Sequence, residues 1–369
     1  MLLFIYYGKP KHLEFDKNCI FIQKNKPSQM KQATIIKYGR AEEAFKIQEA
    51  TLPAPKANEV QIEVEGFGLN YADVMARNGL YKEAPKIPFV PGYEVVGRVI
   101  KTGAEAPESL KGKRVVAFTR FGGYATEAVA DYRALGIISN EISGGEACAL
   151  ATQYCTAYYM THYFQQMRKG EIALVHACAG GVGTALTQLC QLRGVKVIGL
   201  CSSDEKMEYL KALNVDYPIN YTQTDYKKWI IKNLGKRQVD HVFNAVAGDS
   251  FKIDLKLLGY GGKLFCFGGA ARSGKKNNLI NDVSFLLKTG FVSPLFMMMK
   301  AQALIGVNML RFADQKVEVI GTCLNELIAL YENKEIAPKV GGAFPIDRLA
   351  AAHTALESGK SVGKIYVYW

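Results

Sequence analysis

The chain has 369 residues, 49% of them hydrophobic and 22% charged. That balance suits one or two globular domains with sizeable cores and excludes a disordered, collagen-like or coiled-coil chain. The net charge of +12 favours anionic partners, but it is spread along the chain without a basic run, which argues against nucleic acid as a partner.

The first residues, MLLFIYYGKPKHLEFDKNC, have an apolar part too short for a signal peptide and no small-residue cleavage site. Regular patterning begins only after Met30. Residues 1–29 therefore read as a poorly ordered N-terminal extension, with Met30 as the expected start. Beyond it, residues 33–38, 60–68, 94–102, 113–119 and 123–130 form short Val-rich or alternating runs, separated by Gly, Pro and Asn. These are strand signals. Only 71–78 reads as a helix there, with Asp73 and Arg77 spaced i, i+4 and expected to pair locally. The sum is a small β-rich, barrel-like domain.

The pattern changes near residue 144. Residues 144–160 carry apolar side chains at helical spacing. A strand is expected at 172–176, then a helix at 182–193 with Val182, Ala185, Leu186, Leu189 and Cys190 on one face. Strands at 196–200, 217–220, 241–244 and 262–267 alternate with helices at 205–213, 226–234 and 251–258. This alternation predicts βαβ units and a doubly wound parallel sheet.

Residues 279–300 read as one or two apolar helices. Core packing is the first reading, and a cleft lid, a dimer contact or a seat on a membrane are the others. The nearest approach to a membrane span, 291–310, is broken by Pro294, Lys300, Gln302 and Asn308, so no span is expected. A strand follows at 303–310, a helix at 317–332, and a strand–helix–strand tail at 343–369. The fold class is α/β. Residues 31–152 and 313–369 form a catalytic domain, and 153–312 an inserted nucleotide-binding domain that carries the apolar insertion 279–300.

The segment Ile172-Ala-Leu-Val-His-Ala-Cys-Ala-Gly-Gly-Val-Gly183 is a strand, a glycine-rich turn and a helix start. That is the setting of a dinucleotide fingerprint. Gly180, Gly181, Val182 and Gly183 let the backbone approach a pyrophosphate at a helix N-terminus. Cys178 stands where the template has its first glycine. At the end of the second strand, Gly199-Leu-Cys-Ser-Ser-Asp-Glu-Lys206 places no acid where an NAD enzyme holds the ribose 2′-OH. Ser202, Ser203 and Lys206 suit a 2′-phosphate instead, which favours NADPH. Asp204 and Glu205 are read as solvent-facing residues of the next helix's first turn.

Eight cysteines form no C-x-x-C pair and sit mostly in apolar stretches, which points to a reducing, cytoplasmic setting. The five histidines have neither metal nor triad spacing and are read as structural.

Several motifs together resemble a known family. They are Asn70-Tyr-Ala-Asp73, Arg77-Asn-Gly79-Leu-Tyr81, Pro91-Gly-Tyr-Glu-Val-Val-Gly97, Tyr154-Cys-Thr156-Ala-Tyr-Tyr, the 180–183 loop and the terminal Gly359…Val-Gly363-Lys364. Residues 31–369 resemble the zinc-free quinone oxidoreductase branch of the medium-chain dehydrogenase/reductases. The apolar insertion is similar to that of the subgroup named for synaptic vesicle membrane protein VAT-1 homologs. The resemblance implies a GroES-like catalytic domain, a Rossmann domain, and NADPH and substrate in the cleft between them. It puts Asn70 beside the nicotinamide or substrate carbonyl and Tyr81 in the substrate cleft. Thr156 would line the pyrophosphate with the glycine loop. Ser203 and Lys206 would face the 2′-phosphate, Tyr221 the adenine ribose, and Phe267 and Gly268 the nicotinamide. It also implies a homodimer that pairs edge strands.

The zinc-dependent branch has a histidine before the glutamate of its Gly-His-Glu motif, whereas this chain has Tyr93 before Glu94 and no four-cysteine lobe. No metal is expected, since zinc needs three Cys, His or carboxylate ligands beside water. Without a polarising metal, hydride transfer suits a small, electron-poor acceptor, a quinone or conjugated enone. Asn70 and Tyr81 are the candidate donors to its carbonyl oxygen. The alternative is a low-turnover, VAT-1-like binding or trafficking protein that keeps its nucleotide.

Overall fold

The computed structural model describes residues 29–369, apart from 273 and 275–277. Of the expected extension 1–29, residues 1–28 lie outside the described residues.

Six strands form a wholly parallel sheet. Their spatial order is Tyr217–Asn220, Lys196–Cys201, Ile172–Val175, Val239–Asn244, Leu258–Cys266 and Ala303–Gly306. Successive residues alternate between two cores. Leu174, Ile198, Val242 and Leu264 pack with Ile230 and Phe251, while Ala173, Val175, Val197 and Phe243 pack with Leu186 and Leu189. A sheet buried on both faces needs apolar residues of both parities, which is why these strands read as continuous hydrophobic runs. The chain builds the centre first and then winds outward in both directions. The reversal falls between Ile172–Val175 and Val239–Asn244, and ligands of doubly wound sheets sit beyond the carboxyl ends of the strands at that point.

The second sheet has seven strands. Glu59–Leu69 is its spine, flanked by Lys364–Tyr368 and Glu94–Thr102 and also pairing with Glu127–Asp131. Two register shifts along its pairing with Glu94–Thr102 bend it, and such bulges let one strand serve different neighbours along its length. Arg114–Phe118 and Leu135–Ile137 extend one side, and Val340–Pro345 the other. The sheets meet where Gly180 bridges Gly363, so the strand Lys364–Tyr368 starts beside the glycine-rich loop.

Several elements differ from the sequence expectation. Phe45–Thr51 is a strand paired with Gln29–Ile35, unforeseen because Lys46, Gln48 and Glu49 give it no apolar alternation. The strand expected at 123–130 begins only at Glu127, since Tyr124 donates its N–H to the Pro91 carbonyl instead. The strand expected at 303–310 ends at Gly306. There Asn308 accepts from the Leu310 N–H at 3.1 Å and starts the helix Met309–Gln315. Residues 144–160 are helical but include π-helical turns at Leu150–Tyr154 and Tyr159–Tyr163, a distortion that helices carry mostly at functional sites.

The apolar insertion forms two helices, Leu279–Thr289 and Pro294–Met299, and neither has a buried residue. Phe291 is 90% exposed and Leu279 76%, which overturns core packing as the reading of this segment. Leu279–Met299, rather than 291–310, is the stretch apolar and long enough to cross a membrane by composition. It is divided into helices of 11 and 6 residues, each short of the ~20 that span a bilayer.

Candidate active site

The glycine-rich loop leaves the strand Ile172–Val175 through Ala177, whose φ of +49° puts it in the left-handed region. The tight turn therefore falls one residue before Cys178. That thiol is buried, 3.2 Å from the Thr187 hydroxyl. Gly183 is held against this turn: a Cβ there would overlap the Ala177 carbonyl and stand 2.6 Å from Cys178 Cα. A Cβ on Gly181 would overlap the Gln153 side chain. The helix Gly181–Leu192 has no side-chain cap, so its first N–H groups and positive dipole end are available to an anion.

At the end of the second strand, Ser203 caps the helix Asp204–Ala212 by accepting from the Lys206 N–H at 3.3 Å. The Lys206 ammonium donates to the Gly359 carbonyl. Ser202 is exposed beside them. Asp204 does not simply face solvent, as the sequence suggested. Its carboxylate accepts from Asn220 at 2.9 Å and from Gln223 at 3.1 Å, and these amides tie up the nearest acid. The Tyr221 N–H donates to the Cys201 carbonyl at 3.0 Å, which sets its half-exposed ring across from the same strand end.

At the other end lies a cavity of about 200 Å³. Four of the predicted residues, Asn70, Tyr81, Thr156 and Phe267, line it together. Thr156 donates its hydroxyl to the Thr152 carbonyl at 2.6 Å. Tyr81 meets Tyr93 edge-on with ring centroids 6.2 Å apart, and burial pushes its phenol up to about 12. Gly268 follows Phe267 against the Ala245 carbonyl, 2.5 Å from where a Cβ would stand.

Asn70 is fixed by a buried ion pair that sequence reasoning did not foresee. Its Nδ2 donates to Glu94 Oε2 at 2.7 Å, and its Oδ1 accepts from Lys364 Nζ at 3.0 Å. Lys364 and Glu94 pair directly, both 0% exposed, and the Thr152 hydroxyl donates to Glu94. Gly68 makes room for the pair, since a Cβ there would overlap Glu94 Oε1 and stand 2.6 Å from Lys364 Nζ. The only sequence signals were a glutamate after Pro91-Gly-Tyr and a lysine after Gly363.

Asp73 and Arg77 do not pair with each other. Asp73 accepts from the Asn70 N–H at 2.8 Å at the helix start, and Arg77 turns outward to Glu357. A carboxylate at the third helical position is well placed to satisfy the free N–H before the first turn. Burial pushes the Asp73 carboxyl up to about 8. The folded chain thus holds a proton that the unfolded chain releases above ~4. Asp73 contributes full stability below that value, and the contribution is lost as pH rises toward 8. Asp73→Asn should flatten the dependence of urea-unfolding free energy on pH between those limits. An unchanged slope would mean that Asp73 is ionised in the folded chain.

Among the described residues, no three or more His, Cys, Asp or Glu side chains converge as metal ligands. The five histidines include His12, which lies outside the described residues. His241 bonds Glu171 at 2.8 Å, and His353 bonds Tyr124 at 3.1 Å.

Comparison with known proteins bears on the same residues. The family described as "Alcohol dehydrogenase GroES-like domain" matches residues 56–160, and "Zinc-binding dehydrogenase" matches 181–323. The chain is 33% identical over 318 residues to the synaptic vesicle membrane protein VAT-1 homolog of Rattus norvegicus, covering 86% of this chain and 78% of the relative. It is 25% identical over 338 residues to the quinone oxidoreductase of Homo sapiens, covering 91% and 97%. Among solved structures, Escherichia coli quinone oxidoreductase complexed with NADPH superposes with a TM-score of 0.79 at 25% identity, over 92% of this chain and 100% of that one. With its GroES-like sheet, its Rossmann sheet and these relatives, the chain belongs to the quinone oxidoreductase branch of the medium-chain dehydrogenase/reductases, beside the VAT-1 homologs.

Proposed function

We propose that this chain is an NADPH-dependent reductase of quinones or conjugated enones that works without zinc. The observation that carries the reading is the shared cavity of Asn70, Tyr81, Thr156 and Phe267, in a chain whose glycine loop ends in an uncapped helix N-terminus. A bound reduced nicotinamide supplies the hydride, two electrons on one hydrogen nucleus. The chain does the rest. Gly180, Gly181, Val182 and Gly183 receive the pyrophosphate. Ser202, Ser203 and Lys206 receive the 2′-phosphate, Tyr221 borders the adenine ribose, and Phe267 and Gly268 flank the nicotinamide. Asn70 and Tyr81 donate hydrogen bonds to the acceptor oxygen as negative charge gathers there. Tyr81, pushed up to about 12, keeps its proton at neutral pH and acts as a donor. The proton that completes the product comes from solvent.

The donor set does not suit zinc. Glu94 already faces an ammonium, and its neighbour Tyr93 stands where a histidine ligand would be needed. The buried free thiols suit a cytoplasmic setting. The NADPH-complexed relative and the engagement of Asp204 by Asn220 and Gln223 support NADPH over NADH. Lys206→Met should weaken NADPH by about tenfold or more, the scale of one hydrogen bond to a charged group, and leave NADH unchanged in calorimetry. Equal loss for both would remove Lys206 from phosphate recognition.

Ala303–Gly306 is the last strand of its sheet, and Leu304 on it is 42% exposed. Such edges need covering, and we propose that a second copy of the chain covers this one. Light scattering should give the mass of two chains, and a single-chain mass would refute it.

The decisive assay follows NADPH oxidation with a panel of ortho-quinones, para-quinones and enones. Turnover with at least one is expected. Tight NADPH binding with no turnover would return the chain to the binding or trafficking reading.

A further inference from the structure

We propose that Lys364 is a positioning residue for Asn70: its ammonium holds the amide in the one orientation that presents an N–H, not the carbonyl, to the acceptor. This rests on the reductase reading of the cavity and adds to it a residue from the C-terminal strand. The two ends of a carboxamide have nearly the same shape, so packing alone does not choose between them. Here chemistry chooses. Asn70 Oδ1 accepts from Lys364 Nζ at 3.0 Å, and Nδ2 donates to Glu94 Oε2 at 2.7 Å. An ammonium has only donors and a carboxylate only acceptors. A flipped amide would set its NH₂ against the ammonium and its oxygen against the carboxylate.

The clamp has little freedom. Lys364 and Glu94 are each 0% exposed, and the Thr152 hydroxyl adds a further bond to Glu94. Asn70 Nδ2 carries two hydrogens. One is committed to Glu94, and the second is the donor that Asn70 brings to the cavity it lines. Among the described residues, Asn70 and Thr152 line that cavity while Lys364 and Glu94 stand behind them. Lys364 therefore acts through Asn70. Its neighbour Gly363 donates its N–H to the Ala179 carbonyl at 3.0 Å, so the residue that orients the amide follows directly on one anchored to the glycine loop.

A double-mutant cycle tests this. Asn70→Ala is made in the wild-type chain and in Glu94→Gln/Lys364→Met, which removes both charges and strands neither. Two readouts are used: kcat with NADPH and a para-quinone, and calorimetric affinity of the NADP⁺-loaded chain for 4-nitrophenolate, a probe carrying an oxyanion. In the wild type, Asn70→Ala should cost about tenfold or more in each. In the charge-free background it should cost less than about twofold, because the amide is no longer held, and Lys364→Arg should keep most of the wild-type value. Equal costs in both backgrounds would make Lys364 purely structural and overturn the proposal, as would failure of the wild type to bind the phenolate. A wild type that binds the phenolate with the expected coupling, yet reduces no acceptor, would sink the reductase reading and leave the role of Lys364 standing.

Discussion

Replacing Gly183 with alanine should cost the chain about 100-fold or more in affinity for either nicotinamide nucleotide, equivalent to ~2.7 kcal/mol. The added methyl would overlap the Ala177 carbonyl and stand 2.6 Å from Cys178 Cα. Both obstacles are backbone, so no side chain can swing aside. The helix Gly181–Leu192 has to retreat from the turn, and its N–H groups move away from the place where a pyrophosphate would sit. Overpacking of this kind also costs about 1–3 kcal/mol of stability. Gly306 is the control, since a Cβ there meets nothing within 4 Å. Calorimetric titration of both variants with NADPH and NADH checks the expectation. A Gly183→Ala chain that binds like the wild type would show that the loop does not hold the nucleotide.

Lys364→Met should be the most destabilising single change in the second sheet. It leaves Glu94 buried at 0% exposure without its counter-ion, a loss of about 3–5 kcal/mol for a stranded buried charge. Adding Glu94→Gln should recover most of that, because the polar atoms of Asn70 and Thr152 keep a neutral partner. Urea unfolding of the single and paired variants reads both values. A single variant within about 1 kcal/mol of wild type, the scale of an exposed pair, would mean that solvent reaches Glu94.

Local signals carried much of the fold. The strand Ile172–Val175, its glycine turn and the helix Gly181–Leu192 lie within one short stretch of chain, and their periodicities, 2 and then 3.6, are visible without tertiary knowledge. The helix Val317–Glu332 has the predicted bounds for the same reason. Phe45–Thr51 escaped because half its residues face solvent on an edge, where polar side chains erase the alternation. The clamp behind Asn70 escaped for a different reason. Glu94 and Lys364 are 270 positions apart, and Asn70 and Lys364 are 294 apart. One sequence contains no term that links such distant charges. Arg77 shows the same limit: the acid four residues away looked like its partner, but the chain supplies Glu357, 280 positions on. Hydropathy identified 279–299 as apolar, but composition does not say whether an apolar surface is covered, and here it is bare.

The separation of Glu94 and Lys364 has a consequence for synthesis. At ~5–20 residues per second, the ribosome adds the 270 residues between them in on the order of 15–50 s. Until then the nascent sheet lacks both its Lys364–Tyr368 strand and the cation that neutralises Glu94. The barrel can collapse early, but its centre cannot settle until Lys364 arrives, and through that interval the half-built chain is a natural client for a chaperone.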